Sequence, residues 1–169
     1  MNAGSAPPGR PPYMAWLPRF LFETESALPI YVAKAWLMAL VPSIALSALV
    51  RQIATGAEAP QFPASPGLLV LLVVFVGPAL ETLLLAAPVL LLNRVAGPGP
   101  AVIASAVLWG IVHSLVVMTW GLVIWWPFLI MSIAFLTWRR EGLVKALAAA
   151  FSIHALQNAF AVGLILMAS

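Results

Sequence analysis

Five apolar stretches, each of about 17–25 residues, follow one another along this 169-residue chain with almost no charge inside them. They fall near 30–50, 67–93, 101–118, 120–138 and 143–167. Stretches of that length and polarity cross a bilayer as helices, because lipid offers no partner to an unpaired backbone N–H or C=O. The expected fold class is therefore all-α: a polytopic transmembrane helix bundle of about five spans. Composition agrees, with 63% hydrophobic and 8% charged residues against about 25% charged in a soluble domain. There is room for one membrane domain. The absence of cysteine excludes disulfides, thiolate metal sites and a cysteine nucleophile.

The segments outside the spans read differently. Residues 1–12 (MNAGSAPPGRPP) are small and proline-rich, the composition of a disordered tail. Residues 13–27 mix Tyr13, Trp16, Phe20 and Phe22 with Arg19, Glu23 and Glu25, which suits a segment lying at the membrane interface. The expected organisation is thus 1–27 as tail and interfacial segment and 28–169 as transmembrane bundle. No signal peptide with a cleavage site is evident. The linker 94–100 (RVAGPGP) is a strong helix breaker, and the link around Thr119–Gly121 is very short. Of the seven tryptophans, Trp120, Trp125, Trp126 and Trp138 suit interface belts or packing.

Basic residues set the expected orientation. With five spans, Arg10, Arg19, Lys34, Arg94, Arg139, Arg140 and Lys145 fall on one side and only Arg51 on the other. That asymmetry puts the N-terminus in the cytoplasm of a multi-pass protein of a plasma or prokaryotic inner membrane. The net charge of +3 then reflects topology, and no nucleic-acid partner is implied. The partners expected are membrane lipids and a membrane-associated protein or peptide.

Polar residues inside the spans are few. Glu81 is the only charge between Pro66 and Leu92, and both histidines, His113 and His154, are also mid-span. Ionisable groups at bilayer depth cost several kcal/mol by some scales and are kept for function or for a partner. Counted from Asn93, Ala101 and Leu143, the three lie about 11–12 residues in, or about 16–18 Å below the cytoplasmic boundary. They are expected to meet in one polar cavity open toward the cytoplasmic half, with Thr82 and Asn158 at its edge. Asn158 follows His154 by one turn and shares its helix face.

Each residue has an ordinary reading too. Glu81 could be a structural acid bonded to a neighbouring helix, His113 and His154 packing groups, and Asn158 interhelical glue. Gly110, one turn before His113, would let another helix approach closely. Taken together, the four suit hydrolysis. A carboxylate can act as general base toward water, an imidazole can hold the same water, and a second imidazole and an amide can donate to a developing oxyanion. Ser105, Ser114 and Ser152 lack a nucleophile motif. Glu81 with two histidines could also bind zinc, but H-E-x-x-H is absent; the reading taken needs no metal and no cofactor.

Three short motifs carry a resemblance. They read Pro78-Ala-Leu-Glu81-Thr82-Leu-Leu-Leu-Ala86, Trp109-Gly110-Ile-Val-His113 and His154-Ala-Leu-Gln-Asn158. In order, spacing and membrane context they resemble P-x-x-E-E-x-x-x-R, F-x-x-x-H and H-x-x-x-N/D of the CPBP family. These are the intramembrane endopeptidases of the CAAX-protease and bacteriocin-processing group. The resemblance covers about residues 67–160. It implies a glutamate-dependent, metal-independent peptidase in which Glu81 and His113 activate water while His154 and Asn158 form the oxyanion site. Thr82 replaces the second glutamate of the motif and Ala86 its arginine, which marks a divergent branch. A catalytically inactive scaffold or a small proton-coupled transporter subunit is the alternative.

Overall fold

The computed structural model describes residues 10–56 and 65–168. Most of the expected tail, and residues 57–64 of the loop with Glu58, lie outside the described residues. Among those described there is no strand, and the chain is an all-α bundle. Its helices are α1 Leu28–Ile53, α2 Pro66–Ala96, α3 Pro98–Ser114, α4 Gly121–Arg139 and α5 Leu143–Ala168. Four of them, α1, α2, α4 and α5, are long and apolar enough to cross a membrane, as expected of a multi-pass membrane protein. The third expected span is shorter. At 17 residues α3 reaches about 25 Å, against roughly 30 Å of hydrocarbon.

Local chemistry explains where the helices break. α2 is capped by the Ser65 side chain, which accepts from Leu68 N, and starts at Pro66. It ends at Gly97, whose φ of 82° suits glycine alone. The expected breaker 94–100 thus narrows to that one residue, because Pro98 can open α3 directly. The link between α3 and α4 is longer than expected: α3 stops at Ser114, not 118, and residues 115–120 form turns. His113 O takes both Val116 N and Val117 N there.

Tertiary packing centres on α4. Within its most apolar window 72% of residues are buried, against 28%, 28% and 22% in α1, α2 and α5. The other helices therefore surround α4 and turn apolar side chains such as Val41, Leu83 and Leu84 outward, as a lipid-facing surface requires. Gly110 and Gly121 allow α3 and α4 to meet backbone to backbone: a Cβ on Gly121 would collide with Gly110 O. Ser132 Oγ donates to Ser105 Oγ at 2.9 Å in the same interface, which assigns Ser105 to packing. Trp126 and Trp138 are buried as well, so they pack rather than sit in an interface belt.

Pro42 interrupts α1 and removes the N–H that Met38 O would otherwise receive. Trp126 Nε1 of α4 donates to that carbonyl at 2.8 Å. The freed backbone acceptor becomes an interhelical bond.

The N-terminal segment is docked on the bundle. Met14, Leu17, Leu21 and Phe22 are buried. Leu21 O accepts from Tyr31 Oη at 2.9 Å and from Thr137 Oγ1 at 2.8 Å. Arg140 donates to Phe22 O, and Tyr13 packs over Gly99. Residues Arg10–Pro12, grouped with the tail by composition, are tied down too, because the Arg10 guanidinium donates to Ala15 O and Leu17 O. These contacts gather the start of α1, the end of α4 and the start of α3 at one end of the bundle, where most basic residues lie.

Candidate functional site

Glu81, His113 and His154 come from three helices and meet. Glu81 Oε2 lies 3.7 Å from His154 Nε2 and 3.9 Å from His113 Nε2. Glu81 stands on α2 one turn after Gly77, His113 one residue before the end of α3, and His154 midway along α5. His154 is buried; Glu81 and His113 are part-buried, with 28% and 12% of their side-chain surface accessible. The expected convergence is thus present, although His113 reaches it from a helix end rather than from mid-span.

Hydrogen bonding orients the rings. His113 Nδ1 lies 2.8 Å from Trp109 O, one turn earlier on α3. A carbonyl only accepts, so Nδ1 carries the proton, and in the neutral ring Nε2 presents a lone pair toward Glu81. With Glu81 as carboxylate, two acceptors face each other at that range and call for a donor between them. Phe128 of α4 holds both rings. Its centroid is 5.4 Å from that of His113 and 5.3 Å from that of His154, and it stacks on Trp109 at 4.6 Å. Trp120 meets His113 edge-on at 4.8 Å. Sequence reasoning missed Phe128 altogether and placed Trp120 among belt or packing residues. A phenylalanine in an apolar helix carries no signal of its own.

The fourth expected residue, Asn158, lines the same cavity, as expected, but its amide is engaged by the backbone. Asn158 Nδ2 donates to Val73 O of α2 at 2.8 Å. Gln157, also missed, lines the same space, and its Oε1 is buried with no hydrogen-bond partner among the described residues. Thr82 is buried but is not on the cavity wall, contrary to expectation, and Ala86 belongs to the hydrophobic core.

Glu81, His113, His154, Phe128, Gln157 and Asn158 face a cavity of about 1030 Å³. Ser43, Ser47 and Arg51 line it from α1, Val73 and Gly77 from α2, and Ile165 from α5. Its walls come from the end of α1, the start of α2, the start of α4 and the end of α5. The cavity therefore occupies the half of the bundle opposite the basic end. The expectation that it opens toward the basic, cytoplasmic half is reversed. Depth along a helix locates a residue but does not say on which side of it the helices splay; here the docked N-terminal segment fills the basic end and α1 diverges at the other.

Among the described residues, no three histidine or acidic side chains are arranged to hold a metal ion. No family model, curated protein or solved structure matches the chain.

Proposed function

We propose that this protein is an intramembrane endopeptidase of the CPBP type that hydrolyses a peptide bond of a membrane-associated protein or peptide. The observation that carries the reading is the approach of one carboxylate oxygen, Glu81 Oε2, to the Nε2 atoms of two imidazoles inside a cavity of about 1030 Å³. A water donating one proton toward Glu81 and the other toward His113 Nε2 satisfies both acceptors and is thereby aimed. Glu81 removes its proton as the oxygen adds to the scissile carbonyl carbon. His154, with Nε2–H toward the site, donates to the oxyanion. When the C–N bond breaks, the proton held by Glu81 passes to the departing amine, and the carboxylate is restored.

The cavity's position adds a side to this reading. If the basic end faces the cytoplasm, as the charge asymmetry favours, the scissile bond enters from the opposite face.

Cleavage of a membrane peptide by the purified protein is the test, with Glu81→Gln, His113→Ala and His154→Ala beside the wild type. Glu81→Gln should fold and be inactive, because an amide does not take up the proton. His113→Ala should be nearly as severe, and His154→Ala should lose about 100–1,000-fold as a lost oxyanion donor does. A chelator should change nothing. Equal cleavage by wild type and Glu81→Gln ends the reading. Loss with chelator and rescue by zinc favours a metallopeptidase. Partner binding without cleavage favours the scaffold.

A further inference from the structure

We infer that Asn158 is a positioning residue. Its side-chain amide replaces the backbone N–H that Pro78 lacks, and so bolts α5 to α2 about two turns before Glu81. The inference rests on the proposed function only for its kinetic arm; its structural arms stand alone.

The bond follows from the backbone of α2. Residues Val70–Val76 form a π-helical turn, and at its end Gly77 N–H donates to Leu72 O, five residues back. In a regular α-helix that N–H would serve Val73 O. In the π register Val73 O would be served by residue 78, but Pro78 has no N–H. Val73 O thus has no donor in either register of its own helix. A part-buried carbonyl left without a donor is destabilising, because it loses water without gaining a partner. Asn158 Nδ2 supplies the donor at 2.8 Å. The same device appears at Pro42, where Trp126 Nε1 serves the stranded Met38 O at 2.8 Å.

The location gives the bond a consequence. Asn158 is one turn beyond His154 on α5, and Pro78 is three residues before Glu81 on α2. The bond therefore joins α5 about one turn beyond His154 to α2 about two turns before Glu81, on the same side of the 3.7 Å approach of Glu81 Oε2 to His154 Nε2. It sets the spacing and rotation at which the carboxylate and imidazole face each other. This accounts for an amide four residues after the histidine, and for a proline three residues before the glutamate, as two halves of one joint.

The test is a double-mutant cycle between Asn158→Ala and Pro78→Ala in the full-length detergent-solubilised protein. Asn158→Ala alone should lower the melting temperature by about 2–12 °C, as one part-buried carbonyl left without a donor does in a chain of this size. It should also lower kcat by about 10–100-fold with little change in KM, the effect of misplacing a catalytic group. In the Pro78→Ala background residue 78 regains an N–H, and both losses should shrink markedly. Equal losses in the two backgrounds overturn the inference, because an oxyanion donor or simple packing group would not sense Pro78. A second measurement avoids the Pro78 variant. With ¹⁵N-asparagine, the side-chain amide signal that disappears in Asn158→Ala should show one downfield, slowly exchanging proton. Two fast-exchanging protons would refute the joint. Should the wild type prove inactive, the peptidase reading fails, while melting and exchange still decide this one.

Discussion

Replacing Gly121 by alanine should unseat α4 from α3 and disturb the site two turns away. Gly121 is the first residue of α4, and a Cβ built there would collide with the backbone O of Gly110 and with Ser114 Oγ. The serine could rotate, but the carbonyl belongs to the body of α3 and yields only if the helices part. Overpacking of a close-packed interface costs about 1–3 kcal/mol, and a backbone obstacle puts this change near the upper end. For a chain of this length about 3 kcal/mol corresponds to a fall of about 6–12 °C in melting temperature. Phe128 lies on α4 seven residues further on and touches both imidazoles, so parting the helices should also loosen His113. Gly163→Ala is the matched control, since a Cβ there meets nothing within 4 Å. Relieved of glycine's entropy, it should be neutral or raise stability by about 0.5–1 kcal/mol. Thermal unfolding of both variants in the same detergent is the assay. A Gly121→Ala protein that melts with Gly163→Ala would show that the glycine contact does not hold α3 against α4.

Two further outcomes follow from the same geometry. The chain has no cysteine, so single cysteines report topology directly: a membrane-impermeant maleimide should label Thr55→Cys at the cavity mouth from outside and Val95→Cys at the basic end only after permeabilisation. The reverse pattern would place the cavity on the cytoplasmic side. Trp126→Phe should strand Met38 O and destabilise the protein by about 1–3 kcal/mol, and adding Pro42→Ala should recover part of the loss; no recovery would mean that the tryptophan acts through bulk alone.

Much of the site is legible along the chain. Glu81, His113 and His154 stand out because each is expensive in an apolar span, and cost per residue is a local property. The break at Gly97–Pro98 is equally local. His113 at a helix end was less legible, since the apolar run continues through Leu115, Val116 and Val117 and gives no sign that the helix stops at Ser114. The role of Asn158 was concealed for another reason: its partner is a backbone carbonyl, and a stranded carbonyl becomes visible only when the register of the helix around Val73 is known.

The sequence by itself determined that the chain is a helical membrane protein, where most of its helices begin and end, and which few polar groups lie within them. Transfer free energy and the φ preferences of proline and glycine act residue by residue, so these features need no tertiary contact. Only the tertiary structure decided that α4 is the buried centre, that Phe128 holds two imidazoles, and that the cavity lies opposite the basic end. A soluble helix advertises its inward face by contrast with water. Here lipid and core are both apolar, so the sequence carries little record of which way a helix is turned, and only packing against small residues and stranded backbone groups selects it.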